Sequence, residues 1–398
     1  MPSSTSSSDV PFPPHRHEPL SPGLRLTASD RPGVAQPVPE RDIPDRPWGL
    51  IFIAALIVVL LLTAAWEWQM RGLGLTPGDL GDSPSGWADQ RRRIDGAAVP
   101  VAIIGDSRIL FDTDMDRFQR LTGVRPVQLA LVGTNARPVL EDLAADPNFK
   151  GLLIVGIADT SYFRKGIGLM KPALDLGHWE SPSSRGSFLI YREVARHLAL
   201  VDGNYRLSTL VARIDPNWRK GVEGPYDDVW KLSQTFEERQ TRMWPRIEHD
   251  ARLRAHGQAV WRAFKGKPVR PEIIAMTLSK TRAAVSRIRS RGGDVIFVRP
   301  PSAPNFRANE EKSLPKAKGW DALLAAAHVK GAHIDDMPRV QGLNLPEGSH
   351  LSGACATVFT DAYVRALTAL TPRLHLMDDA PPPLLTRDCV PGAPTRPI

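Results

Sequence analysis

PVAIIGDS, residues 100–107, is the stretch on which the fold turns. Four aliphatic residues in a row, Val101 to Ile104, read as a strand buried on both faces. Gly105-Asp106-Ser107 reads as the turn that ends it. Glycine permits a sharp turn there at little steric cost, and Asp106 suits a turn-stabilising acceptor.

Outward from this strand the chain alternates strand and helix patterns. FDTDMDRFQRLTG (111–123) has Phe111, Met115, Phe118 and Leu121 at helical spacing, and RPVQLALVG (125–133) is a second strand. A second helix starts at Pro138, and KGLLIVGIAD (150–159) is a third strand. Near the C-terminus, PEIIAMTLSKTRAAVSRIRSRGG (271–293) is a long helix closed by glycine. DVIFVRPP (294–301) is a buried strand ended by proline, GWDALLAAAHVKG (319–331) a helix, GAHIDDMP (331–338) a short strand, and the stretch from His350 to about Leu370 a last helix. This order predicts the α/β class, with a mostly parallel sheet covered by helices on both faces over residues 97–376. Residues 165–268 break the pattern. With Trp179, Trp218, Trp230 and Trp244, and Trp261 near the end, they read as a largely helical insertion or cap. These tryptophans are expected to pack, sugar stacking being the alternative. Residues 377–398 read as a disordered Pro-rich tail.

Before this domain, residues 1–46 are rich in Ser, Pro and charge and read as a disordered arm. Trp48 to Trp66 carries no charge. As a helix it spans about 28 Å, so residues 47–68 are expected to cross a bilayer, with Trp48, Trp66 and Trp68 at its interfaces. A cleaved signal peptide ending at Thr63-Ala64-Ala65 is the competing reading, but an arm that mixes acids with arginines is a poor signal n-region. Arg41 and Arg46 precede the segment and only Arg71 closely follows it. The positive-inside rule then puts the arm in the cytoplasm and the domain in the periplasm or outside, on a single-pass inner (cytoplasmic) membrane protein. Residues 69–96 read as a tether leading into a short helix.

The chain has 398 residues, 24% of them charged, and a net charge of +8. Its arginines are scattered, Arg91-Arg92-Arg93 being the densest cluster, and no basic helix with interleaved aromatics occurs, which argues against nucleic acid as a partner. Asp112, Asp114 and Asp116 have the opening spacing of a calcium loop, but Arg117 and Gly123 occupy the positions that need Gly and Glu, so they suit a helix start instead. Neither metal-ligand spacing nor a phosphate-cradling glycine loop is present, and no cofactor is expected. Cys355 and Cys389 either pair in an oxidising compartment or stay as two thiols.

In open α/β sheets, active residues lie beyond the carboxyl ends of strands, where Ser107 falls. A serine hydroxyl needs a base. His350, in LPEGSHLS (345–352) just before the last helix, is the best placed of ten histidines. Glu347, three residues earlier, can orient its ring, with Asp335 or Asp336 as alternative acids. Arg108 reads as a surface salt-bridge residue, ahead of a ligand for a substrate carboxylate.

Gly105-Asp106-Ser107 after the first strand, Gly133 after the second, and Glu347 with His350 before the last helix resemble the blocks of the SGNH (GDSL-like) hydrolases, as does the His-Leu-Ser continuation at 350–352. The resemblance covers about residues 98–160 and 270–370. It implies a flavodoxin-like three-layer α/β/α domain acting on esters, often acetyl groups on carbohydrate. It also implies Ser107 as nucleophile, His350 as base, Glu347 where the family usually has Asp, and the N–H groups of Ser107 and Gly133 as the oxyanion hole. The family's Gly-x-Asn-Asp block is Gly156-Ile157-Ala158-Asp159 here, without Asn. Asn135 is the candidate replacement donor. Membrane-anchored relatives often work in polysaccharide O-acetylation, which makes a transmembrane acyl-donor partner possible and acyl transfer as plausible as hydrolysis. The expected function is therefore a membrane-anchored serine esterase or O-acyltransferase on cell-envelope polysaccharide, and the alternative is a non-catalytic glycan-binding or assembly subunit on the same fold.

Overall fold

A computed structural model describes residues 44–96, 100–164, 170–214, 231–263 and 267–390. Most of the proposed arm, Trp218, Trp230 and the last eight residues of the tail lie outside them. By its contacts the chain divides into one unit ending at Thr63 and a second running from Ala64.

The described part of the first unit is the start of a helix, Trp48–Gly72. It is the one described helix long and apolar enough to cross a membrane, and its side chains from Trp48 to Leu62 are exposed. Its last turns, from Ala64, belong to the second unit.

That second unit is built on five parallel strands: β1 (Val101–Ile104), β2 (Val127–Gln128), β3 (Leu152–Gly156), β6 (Asp294–Arg299) and β7 (Gly331–His333). Their order across the sheet is β2-β1-β3-β6-β7. Side chains alternate between faces along a strand, and here both faces are buried. Ala102, Ile104, Leu153, Val155, Val295 and Phe297 pack with helices Pro84–Gly96, Arg137–Ala145, Pro271–Ser290 and Ala322–Ala327. Val101, Ile103, Leu152, Ile154, Ile296 and Val298 pack with helices Ser107–Phe111, Met115–Thr122 and Gly353–Leu370. The expected α/β class and parallel sheet are thus present.

Several local expectations differ. The stretch 111–123 is helical only from Met115 to Thr122: Phe111 ends the preceding helix, Ser107–Phe111, and Asp114 leaves the helical conformation and caps the next, its side chain accepting from Arg117 N. The β2 ladder is only two residues long, although Leu129 N and Leu131 N still donate to Ile103 and Gly105 carbonyls. The insertion contains, besides helices, a small antiparallel pair, β4 (Ser233–Thr235) and β5 (Thr241–Met243).

Residues 69–80 are docked, not a free tether. Met70 and Leu75 are buried with Trp244 and Ile247 of the insertion, and Trp244 Nε1 donates to Gly74 O. Buried Lys231 bridges Asp79 and Asp202.

The tail is also ordered through residue 390. Arg117 and Arg365, both paired with buried Asp361, donate to the Pro382 and Pro381 carbonyls, and Leu384 N donates to Asp361. Proline carbonyls remain strong acceptors, so a Pro-rich segment holds its place where fixed arginines meet it. A disulfide joins Cys355 to Cys389, 34 residues apart. A loop of that size is worth about 3–4 kcal/mol by the chain-entropy relation. Reducing the protein should therefore lower its denaturant midpoint by that equivalent, and an unchanged midpoint after verified reduction would refute the tail's structural role.

Candidate active site

The helix Ser107–Phe111 begins directly beyond β1, and Asp106 caps it by accepting from Arg108 N at 3.1 Å. The turn-stabilising role expected of Asp106 is met. The helix sits unusually close to the sheet. A Cβ on Gly105 would lie 2.2 Å from Ile109 Cγ2 and 2.7 Å from Gly156 O, and a Cβ on Gly156 would lie 2.2 Å from Ile109 Cβ. Glycine at both strand ends is what lets Ser107 come down over the sheet edge.

The Ser107 hydroxyl meets His350 Nε2 at 2.8 Å, and His350 Nδ1 meets Glu347 Oε1 at 2.8 Å. An ionised carboxylate only accepts, so Nδ1 carries the proton and Nε2 is left as the base facing Ser107. Glu347 Oε1 also accepts from the backbone N–H groups of Ser349 and His350, which closes the loop tightly. Burial alone would raise the Glu347 carboxyl; His350 and the hydrogen bonds around it outweigh that and hold it below the usual range. Phe111 stacks on the imidazole with centroids 4.3 Å apart. Leu351 N donates to Asp112 Oδ1 at 2.9 Å, fixing the far side of the histidine. Burial pushes that Asp112 carboxyl well above its ordinary value.

The sequence reading missed the groups that hold this set in place. Trp261, from the insertion helix Ala251–Ala263, donates its indole N–H to Glu347 Oε2 and edges against His350 at 5.7 Å between centroids. Gly257 of the same helix lets it lie on Glu347, where an added Cβ would come within 2.8 Å of the glutamate Cβ. Only the clustering of tryptophans in the insertion could have hinted at this.

Arg108 is not a surface residue. It is 3% exposed, pairs with Glu310 at 2.7 Å and donates to Ser349 Oγ. Glu310 in turn binds Arg299, and Arg299 binds Asp159 at 2.9 Å. Burial would raise the Glu310 carboxyl, but Arg108 and Arg299 bring it down to about 2. No sequence pattern links these four residues, which come from four different segments.

The remaining candidates fall elsewhere. Asp335 pairs with Arg307 at 2.8 Å and with His333, so it is not the acid on His350. Asp336 has no part in the triad either, because Glu347 occupies that position. Gly133 is exposed, in the left-handed region at φ 67°, with open space where a side chain would be. Asn135 is buried, its Oδ1 accepting from Arg137 N and its Nδ2 donating to Arg164 O. Those backbone bonds hold its amide in place. A cavity of about 270 Å³ adjoins the triad on the Glu347 side, lined by Trp261, Phe306, Asn305, Asn309 and Gln258. Among the described residues no group of three His, Cys, Asp or Glu side chains is arranged to hold a metal.

In comparisons with known proteins, no family model, no curated protein and no solved structure matches this chain.

Proposed function

We propose that this protein is a membrane-anchored serine esterase or O-acyltransferase of SGNH type, acting on acyl (acetyl) esters of cell-envelope polysaccharide. The observation that carries the reading is the continuous chain Ser107 Oγ–His350 Nε2–Glu347, with both hydrogen bonds at 2.8 Å. Within the main sheet alone the strand order becomes 2-1-3-4-5, the order of flavodoxin-like doubly wound sheets, which supports the fold implied by the resemblance. Residues after about 70 would lie in the periplasm or outside the cell.

Ser107 Oγ attacks the acyl carbonyl carbon while its proton passes to His350 Nε2. The oxyanion is held by the N–H groups of Ser107 and Gly133. As the intermediate collapses, the imidazolium returns its proton to the departing alkoxide and leaves an acyl-serine ester. Water or an acceptor hydroxyl then loses a proton to His350, attacks the acyl carbon and regenerates Ser107. The amide and aromatic side chains along the 270 Å³ cavity suit an uncharged, hydroxyl-rich substrate.

The direct test is a fluorophosphonate probe on the full chain in detergent, mapped by peptide sequencing. One label on Ser107 is expected. A folded protein that takes no label there supports the second reading, a non-catalytic glycan-binding subunit. That reading draws on Ala158, which stands where the family's block has its oxyanion-donating Asn. Trp261→Phe removes one hydrogen bond to a charged group, worth about 1.5–3 kcal/mol. It should lower kcat by roughly tenfold or more with KM unchanged, whereas unchanged kcat would strip Trp261 of its positioning role.

A further inference from the structure

The helix Pro182–Ala195 buries Phe188 and Ala195 but turns an apolar stripe to solvent: Leu189, Ile190 (69% exposed) and Val194. The next α-helix in the chain, Leu207–Ile214, likewise exposes Leu207 (63%) and Val211 (56%), one turn apart. Large apolar side chains exposed in a row along a helix call for a partner.

What that partner is follows from where these helices are tied. Glu67, flanked by Trp66 and Trp68, accepts from Ala199 N at 3.0 Å and Leu200 N at 2.8 Å. Arg71 Nη2 donates to His197 O at 3.2 Å. Residues 197–200 lie in the connection, 196–206, between the two apolar helices. At about 1.5 Å of rise per residue, Arg71 stands roughly 4.5 Å beyond Trp68 along the helix. If the tryptophans sit at the headgroup level, the connecting segment is held within about one helical turn of it.

We propose that the exposed faces of helices Pro182–Ala195 and Leu207–Ile214 rest in the bilayer interface, so that the domain lies on the lipid surface at a fixed orientation. The occupant is the phospholipid acyl–headgroup boundary of the leaflet from which Trp68 emerges. Their stripe is narrow and flanked by polar residues, which suits shallow burial rather than spanning. This inference rests on the reading that the Trp48–Gly72 helix crosses a membrane. It does not require the catalytic assignment.

The test uses the full chain in phosphatidylcholine nanodiscs with single introduced cysteines carrying an environment-sensitive fluorophore. Among the described residues both native cysteines are in the disulfide. Sites are Val58→Cys in the apolar helix, Ile190→Cys and Leu207→Cys on the stripes, and Asn148→Cys in an exposed turn. Quenching by deep, chain-end nitroxide lipids at 58 and by shallow nitroxide lipids at 190 and 207, with neither at 148, is expected. Quenching at 58 but not at 190 or 207 overturns the interface proposal alone, and no quenching at 58 overturns the membrane reading itself. A blue shift at 190 that follows protein density instead of nitroxide content identifies a second copy as the occupant and also overturns it.

Discussion

Ser107→Ala is expected to abolish ester turnover, lowering kcat by about 10⁶-fold, with His350→Ala costing a similar amount and Glu347→Ala on the order of 10⁴-fold. The three act as one unit, so the Ser107→Ala/His350→Ala double variant should be no slower than either single one. The geometry gives the reason. The hydroxyl has the imidazole Nε2 at 2.8 Å as its base, and that ring is held by Glu347 below, Phe111 on its face and Asp112 through Leu351 N. Removing the glutamate leaves the other two supports, so its loss costs less. The measurement is kcat on an acetyl ester by the full chain, with circular dichroism to check folding. A folded Ser107→Ala variant within tenfold of wild type would remove Ser107 from the mechanism.

The second large effect concerns stability. Glu310 is buried between Arg108 and Arg299, and Glu310→Ala would leave both guanidinium groups without it. Arg299 would keep Asp159 and the Pro300 carbonyl, and Arg108 would lose its ion-pair partner and keep the hydrogen bond to Ser349 Oγ. Breaking a buried pair from one side costs about 3–5 kcal/mol, and this one borders the nucleophile, since Arg108 is its neighbour. Glu310→Ala should therefore unfold at a markedly lower urea concentration and label poorly with the fluorophosphonate. The acid dependence follows from the carboxyl value. Folding takes it from 4.5 to about 2, so its stabilisation is complete above pH 4.5 and is lost as pH falls toward 2. Glu310→Gln should remove that part of the acid transition. A Glu310→Gln profile that falls as steeply as wild type over this range would show that the network does not depend on the charge.

Much of the sheet was legible because its strands are unbroken aliphatic runs. VAII, LLIV and VIFV leave no polar face to expose, so each has to lie in the middle of a covered sheet. The triad residues were legible for a related reason: Ser107 and the 345–352 loop lie beside elements whose ends the sequence marks with glycine and proline. The tail was misread because proline content reports what a segment cannot do alone, and the arginines that hold it, Arg117 and Arg365, lie elsewhere in the chain. Arg108 was misread because a single charged residue carries no sign of burial until its partner, 202 positions later, is brought against it.

By itself the sequence determined the α/β class, one helix apolar and long enough to span a bilayer, and a serine at the end of the first strand. These follow from local hydrophobic pattern and turn chemistry, which act over a few residues. Tertiary structure alone decided that Ser107 meets His350, that Trp261 from the insertion grips Glu347, that Asn135 is held by backbone partners, and that the segment beyond the apolar helix is docked. Each of these joins groups far apart in the chain, or turns on which of several hydrogen-bonding partners a buried group finds. Packing settles that choice, because a buried polar group has to find its partner within the fold.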